Sequence, residues 1–137
     1  MPISVLLVDD HVIFRESVSA LLQATTDFCI VGEAGDGKEA LVLSERLQPD
    51  VVVLDCMLPY LNGMDVVLWL RKQQPATHVV MLSMHSAEDY ILKSIQHGAS
   101  GYILKEDIVA HLAPAIAAAA VNQFYFSPSL EKIWNGR

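Results

Sequence analysis

The stretch Val51-Val52-Val53-Leu54-Asp55 decides the fold of this chain. Four apolar residues run without interruption and end in a carboxylate, and Pro59 and Gly63 then turn the chain. Such a run is typical of a strand buried on both faces of a parallel sheet. Because open α/β sheets place ligands at the carboxyl ends of their strands, Asp55 is a candidate nucleophile that accepts a phosphoryl group. A helix cap or a solvated turn residue is the alternative for Asp55 considered alone.

Strand-like and helix-like patterns alternate along the chain. Apolar strand patterns cover residues 3–8, 28–31, 51–55, 78–82 and 101–104. Apolar residues at helical spacing follow each of them, within 14–22, 40–47, 67–70, 87–95 and 108–119. The alternation predicts an α/β protein with a flavodoxin-like doubly wound (βα)5 fold, whose five-stranded parallel sheet has the order 2-1-3-4-5.

The end of the chain is harder to interpret. Pro114 predicts either that the last helix begins near Ala113 or that it is kinked, and Asn122 is a candidate left-handed C-cap. Residues 122–137 show no clear period. We therefore predict one domain over residues 1–121, followed by a tail or the start of a linker to an absent output domain.

Composition narrows the class of protein. The 137 residues suit one domain, and the formal charge of −7 argues against direct binding of nucleic acid by this chain. Cys29 and Cys56 have neither metal-ligand nor disulfide spacing, which favours a reducing cytoplasm. Met1-Pro2 leads straight into a strand, and no apolar stretch reaches about 18 residues, so we expect neither a signal peptide nor a membrane span.

Polar residues end four of the five predicted strands. Asp9 and Asp10 follow the first strand, Asp55 ends the third, and Ser83 and Lys105 follow the fourth and fifth. The first and third strands are neighbours in this fold, so their carboxylates are predicted to meet. Close carboxylates repel each other unless a cation joins them, and oxygen ligands with water suit Mg²⁺. The hydroxyl and the ammonium could then hold phosphoryl oxygens.

Each of these residues also has a purely structural interpretation. Asp9 and Asp10 could cap the first helix. Ser83 could be a small buried hydroxyl, and Lys105 could be solvated. The histidines have no metal-ligand spacing and are predicted at the surface: His11, His85, His97 and His111. The joint placement on one edge of the sheet is what favours a functional site.

The same segments together resemble the receiver domain of two-component response regulators. The motifs are LVDDH at 7–11, DCMLPYLNG at 55–63, LSMH at 82–85 and GASGYILK at 98–105. The resemblance spans about residues 3–121. GEAGDG at 32–37 and GYILK at 101–105 are similar to the subfamily with a LuxR-type helix-turn-helix output domain. No such output domain follows here, so the chain is either part of a longer protein or a stand-alone receiver.

The resemblance implies a phosphorelay signalling role in the cytoplasm. Asp55 would accept the phosphoryl group from the phosphohistidine of a sensor histidine kinase. Asp10, Asp55 and the main-chain carbonyl of Met57 would bind Mg²⁺, with Asp9 acting through a metal-bound water. The resemblance also implies a possible homodimer, no membrane partner, and contact with DNA only through an absent output domain that regulates transcription.

The resemblance also implies a switch. Lys105 would pair with the phosphoryl oxygens or with Asp55, and Ser83 would swing toward the phosphoryl group. Tyr102 would move inward behind it and reshape the surface of the fourth helix, fifth strand and fifth helix. A half-exposed strand aromatic is the alternative for Tyr102. Glu106 follows Lys105 where many receivers have Pro, which leaves the geometry of that loop open.

Met57 and His85 lie two residues beyond Asp55 and Ser83, near the expected path of an attacking water. We predict that these two residues set the lifetime of the phosphoryl group. We therefore expect no enzyme acting on a separate substrate, only self-phosphorylation and self-dephosphorylation.

Three other functions fit the sequence less well than a phosphorylation switch. A haloacid-dehalogenase-like phosphohydrolase would need a second Asp as general acid/base at the position of Met57. A flavin- or nucleotide-binding module would need a glycine- or hydroxyl-rich phosphate loop where this chain has Asp9-Asp10-His11. A degenerate receiver acting as a phosphorylation-independent protein-interaction module is the remaining alternative.

Overall fold

The computed structural model describes residues 2–84 and 88–130. The first half of the chain contains β1 (Ile3–Val8), α1 (Val12–Gln23), β2 (Phe28–Ala34), α2 (Gly37–Leu47) and β3 (Val51–Asp55). The second half contains α3 (Gly63–Gln73), β4 (His78–Ser83), α4 (Glu88–Gln96), β5 (Gly101–Leu104), a 3₁₀ turn (Lys105–Asp107), α5 (Ile108–Ala120), β6 (Tyr125–Phe126) and a second 3₁₀ turn (Pro128–Leu130). No helix in these ranges is long and apolar enough to cross a bilayer.

The strands form one parallel sheet in the order β2-β1-β3-β4-β5-β6. The α/β doubly wound class and the order of the first five strands are therefore confirmed. β3 lies between β1 and β4, and all five of its residues are buried. Val52 and Leu54 pack in one core cluster and Val51 and Val53 in the other, because successive side chains of a strand point to opposite faces. The unbroken apolar run is thus explained by helices on both faces.

Within the described residues the sheet has six strands and not the predicted five. β6 lies in the segment that we predicted to be a tail or the start of a linker, and it pairs in parallel with Gly101 and Tyr102 of β5. A Cβ at Gly101 would stand 2.8 Å from the carbonyl oxygen of Tyr125, so the missing side chain lets β6 approach. Ser127 Oγ then accepts a hydrogen bond of 2.8 Å from the buried Leu104 N–H. The segment after α5 is therefore part of the sheet.

The last helix also differs from one of the two expectations. α5 begins at Ile108 and not near Ala113, so Pro114 lies inside it. Pro114 is exposed, and the residue one turn earlier, Ala110, is exposed too. Water can therefore serve the carbonyl that loses its helical donor, which lowers the usual cost of an internal proline. Asn122 has a left-handed φ of 62°, as predicted for a residue that ends a helix.

Candidate functional site

Three carboxylates meet at the carboxyl edge of the sheet. Val8 of β1 pairs with Leu54 of β3, so Asp9 and Asp55 each come one residue after a paired position. Ligand atoms of Asp9, Asp10, His11 and Asp55 all lie within 4.8 Å of one another. Asp9 and Asp55 are buried, whereas Asp10 and His11 are exposed. The predicted meeting of the three carboxylates is confirmed, and His11 adds a nitrogen donor that the sequence analysis did not include.

The turn after β1 holds Asp9 by its main chain and its side chain. The Asp9 N–H donates to the Ala34 carbonyl at 3.0 Å, and the Arg15 guanidinium donates to the Asp9 carbonyl at 2.6 Å. The His11 N–H donates to Asp9 Oδ1 at 2.9 Å. His11 is the N-cap residue of α1, and its side chain makes no capping hydrogen bond. Neither Asp9 nor Asp10 occupies the cap position, so the helix-capping alternative for these two residues is wrong. The sequence placed Arg15 in a helical segment but gave no indication that it contacts Asp9.

Asp55 is held by the turn that follows β3. The Met57 N–H donates to Asp55 Oδ1 at 3.1 Å, and the Gly63 N–H returns to the Cys56 carbonyl at 3.1 Å. A Cβ at Gly63 would lie only 3.0 Å from the Cys56 Cα, so this close return suits glycine. Met57 itself is 64% exposed, two residues beyond Asp55. Pro59 and Gly63 therefore turn the chain as predicted.

Lys105 joins the two buried carboxylates. Its Nζ lies 3.1 Å from Asp9 Oδ2 and 3.1 Å from Asp55 Oδ2, and its side chain is only 11% exposed. The solvated alternative for Lys105 is therefore wrong. The 3₁₀ turn Lys105–Asp107 runs directly into α5, so Glu106 in place of Pro still delivers the ammonium to the site.

The charges at this edge do not balance. Burial, the largest effect, and the nearby Asp9 carboxylate raise the pKa of Asp55. The Met57 N–H and the Lys105 ammonium lower it, but the net result is a raised pKa. Burial alone would lower the pKa of Lys105, but the two carboxylates outweigh that effect and raise it. Asp9 and Asp55 together carry more negative charge than one ammonium can neutralise. The site therefore favours an additional cation.

A second group of polar side chains lies on one side of Asp55. Tyr102 is fully buried, and its hydroxyl lies 3.9 Å from the Cys56 thiol. The Ser83 hydroxyl interacts with both of them, and Ser83 is itself buried. Burial raises the pKa of the Cys56 thiol to about 11 and raises that of the Tyr102 hydroxyl as well. The half-exposed alternative for Tyr102 is wrong, and its contact with Cys56 had no signal in the sequence.

The histidines behave differently from one another. His11 is exposed, and its Nδ1 lies 3.2 Å from both Asp9 Oδ1 and Asp10 Oδ1. His97 and His111 are half-buried, and His111 Nδ1 lies 2.8 Å from the Tyr125 hydroxyl, so the surface prediction is wrong for these two. His85 lies outside the described residues. Its predicted influence on the phosphoryl lifetime stays a prediction.

The donor set fits a hard divalent cation. Three carboxylates converge at the end of two rigid strands, and one of them is exposed, which leaves room for water ligands. Carboxylate oxygens with retained waters are the ligands that Mg²⁺ prefers. Asp9, Asp10 and Asp55 could therefore hold a metal.

Comparison with known proteins decides the family. The family model described as the response regulator receiver domain matches residues 5–117. The chain belongs to this family. The receiver is 37% identical over 125 residues to the transcriptional regulatory protein MctR of Rhizobium johnstonii, covering 91% of this chain and 58% of MctR. It is 32% identical over 132 residues to the nitrate/nitrite response regulator protein NarL of Escherichia coli K12, covering 96% of this chain and 61% of NarL.

Solved structures agree with this assignment. A LuxR-family two-component response regulator from Aurantimonas sp. SI85-9A1 has a TM-score of 0.94 and 33% identity, covering 100% of this chain and 99% of that one. The receiver domain of the putative response regulator NarL from Mycobacterium tuberculosis has a TM-score of 0.77 and 32% identity, covering 85% and 97% of the two chains. The predicted resemblance to LuxR-family receivers is confirmed. The receiver is a signalling protein, and it spans about six-tenths of the length of the curated relatives it matches.

Proposed function

We propose that this receiver stores a signal as an acyl phosphate on Asp55. The observation that carries the proposal is the Lys105 ammonium, which lies 3.1 Å from both buried carboxylates. A carboxylate oxygen of Asp55 would attack the phosphorus of a kinase phosphohistidine, and the P–N bond would break as the imidazole leaves. Lys105 and the Met57 N–H favour the ionised nucleophile against the cost of its burial.

Lys105 has a second task after the transfer. Its ammonium can leave Asp55 for a phosphoryl oxygen while it keeps its contact with Asp9. We assign Mg²⁺ to Asp10, Asp55 and the Met57 carbonyl, with Asp9 acting through water, and the ion would neutralise charge on the phosphoryl oxygens when bound. Hydrolysis by water would return the carboxylate and inorganic phosphate, so the receiver turns over only its own phosphoryl group.

A mass measurement tests the proposal. The wild-type chain is incubated with acetyl phosphate and Mg²⁺, beside Asp55→Asn and an EDTA control. We expect one added phosphoryl group on the wild type and none in either control. Absence of the adduct from the wild type, with beryllofluoride also producing no NMR shifts, would favour the phosphorylation-independent interaction module.

The switch would pass through Ser83 and Tyr102. Ser83 now interacts with Tyr102 and Cys56, and we propose that it turns toward the phosphoryl group. Tyr102 is already inward, so phosphorylation would increase the population of an existing arrangement of α4, β5 and α5. Beryllofluoride should then shift the NMR signals of Ser83 strongly and those of the Tyr102 ring weakly.

The phosphoryl lifetime would depend on Met57 and His85. Met57 is exposed, and its side chain can neither donate nor accept strongly toward water. We therefore expect Met57→Asn and His85→Ala to change the rate at which the adduct decays. Decay rates equal to wild type in both variants would remove this part of the proposal.

We further propose that residues 122–137 lead into a linker to an output domain, and that this linker begins after β6 and not at residue 122. The relatives are longer than this chain, and MctR is a transcriptional regulatory protein by its name. A sensor histidine kinase as partner, a cytoplasmic location for this receiver, a homodimer on phosphorylation, and DNA contact only through the output domain complete this proposal. Sedimentation with and without beryllofluoride tests the dimer.

A further inference from the structure

An aromatic ring lies against the ammonium of Lys105. The Phe14 side chain comes from the first turn of α1, and its ring centroid lies 4.3 Å from Lys105 Nζ. Phe14 is half-buried and packs against the core cluster on that side of the sheet. The ammonium is therefore enclosed by two carboxylates and the face of one ring. In the sequence, Phe14 is recognisable only as part of an apolar helical stripe.

A lysine in this position needs such a contact. Its four-carbon stem is flexible, and the side chain loses substantial rotamer freedom when the ammonium is held at one point. Asp9 and Asp55 attract the ammonium from two directions, but they do not restrain the stem. A ring face attracts a cation through its quadrupole and also keeps water away from it. Glu106 follows Lys105, so no proline fixes the backbone directly after the lysine.

We propose that Phe14 is the positioning residue for Lys105. Its ring keeps the ammonium directed at Asp9 and Asp55, so that Lys105 reaches the phosphoryl group without a search among rotamers. Phe14 itself touches no reacting atom. The inference rests on the proposed function, because the step that it assists is phosphorylation of Asp55.

Three substitutions separate the ring face from simple packing. Phe14→Leu keeps an apolar side chain and removes the ring. Phe14→Tyr keeps the ring, and its added hydroxyl can point into the open groove of about 490 Å³ that Phe14 and Lys105 line between α1 and α5. Val18→Ala is the matched control, since Val18 lies one turn further along α1 in the same core cluster, and this change weakens packing without altering the ring.

The first readout is the rate of phosphorylation by acetyl phosphate and Mg²⁺, followed by intact mass. We expect Phe14→Leu to slow the reaction by roughly two- to thirtyfold, the range that a cation–π contact corresponds to. Phe14→Tyr and Val18→Ala should react at the wild-type rate, because both variants keep an aromatic ring against the ammonium. Equal slowing in the Leu and Tyr variants would overturn the proposal, and so would a wild-type rate in the Leu variant.

The second readout does not need phosphorylation. The ε-CH₂ protons of Lys105 lie near the ring face, so their NMR signals should be shifted upfield in wild type, Phe14→Tyr and Val18→Ala. They should return toward free-lysine values in Phe14→Leu. Unshifted signals in the wild type would overturn the proposal even if Asp55 is phosphorylated normally. Shifted signals without phosphorylation would instead reject the proposed function while they support the contact between Phe14 and Lys105. If the Phe14→Leu variant does not fold, Phe14→Met takes its place in both measurements.

Discussion

Replacing Lys105 with methionine would leave two buried carboxylates facing each other. The Lys105 side chain is 11% exposed, and those of Asp9 and Asp55 are 4% and 6% exposed, so solvent screens this group of charges weakly. Breaking a buried ion pair by removing one partner costs about 3–5 kcal/mol, because the remaining charge is uncompensated. The site lies at the edge of the sheet, which places our expectation at the lower end, roughly 3 kcal/mol.

Urea unfolding in EDTA, followed by circular dichroism, measures this cost. With a denaturant slope of about 2 kcal/mol per molar, a loss of roughly 3 kcal/mol lowers the midpoint by about 1.5 M. Lys72→Met on the exposed face of α3 is the matched control and should stay within about 0.5 kcal/mol of wild type. Saturating Mg²⁺ should narrow the gap between Lys105→Met and wild type, because the ion then neutralises the same carboxylates.

The dependence on pH has a definite sign. The pKa of Lys105 is raised in the folded state, so its stabilisation is fully present below its unfolded value of 10.5 and is lost as the pH rises through the folded value. The gap between wild type and Lys105→Met should therefore close at high pH. It should also shrink at low pH, where the carboxylates are protonated. A Lys105→Met midpoint equal to that of the Lys72→Met control at neutral pH, with or without Mg²⁺, would refute the assignment of Lys105 as the counter-ion.

Three further changes test other parts of the structure. Because burial raises the pKa of Asp55, Asp55→Asn should stabilise the protein in EDTA at neutral pH. Urea midpoints should show this gain fading as the pH falls through the raised pKa, and a loss of stability in Asp55→Asn would contradict the prediction. Ser127→Ala removes the acceptor of the buried Leu104 N–H and should cost about 1–3 kcal/mol, with faster hydrogen exchange at that amide; unchanged exchange would mean that β6 is not held there. Iodoacetamide at pH 8 should modify the exposed Cys29 and spare Cys56, whose pKa is about 11, and mass spectrometry before and after unfolding checks this order.

Much of the site could be predicted because it depends on where long strands end. An apolar run such as 51–54 indicates both the length and the burial of its strand, and the next residue, Asp55, must then lie at the edge of the sheet. The same reasoning from strand ends predicts that Asp9 and Asp55 lie together. The burial of Tyr102 is harder to predict, since an aromatic residue in a strand can face either a core or a half-covered surface.

Other features depend on contacts between distant parts of the chain. β6 has two residues, too few for any period, and it forms only because Gly101 leaves space beside β5 and Ser127 accepts from Leu104. Pro114 is tolerated inside α5 because its side of the helix faces solvent, which local sequence does not reveal.

The sequence by itself determined the order of strands and helices, the buried central strand and the edge at which Asp9, Asp55 and Lys105 meet. Hydrophobic period and strand ends are local properties, so they can be read along the chain. Only the tertiary structure decided that Tyr102 is fully buried and that the ring of Phe14 faces Lys105. Those contacts join residues more than forty positions apart, and their geometry depends on how α1, β3, β5 and the turn before α5 pack together.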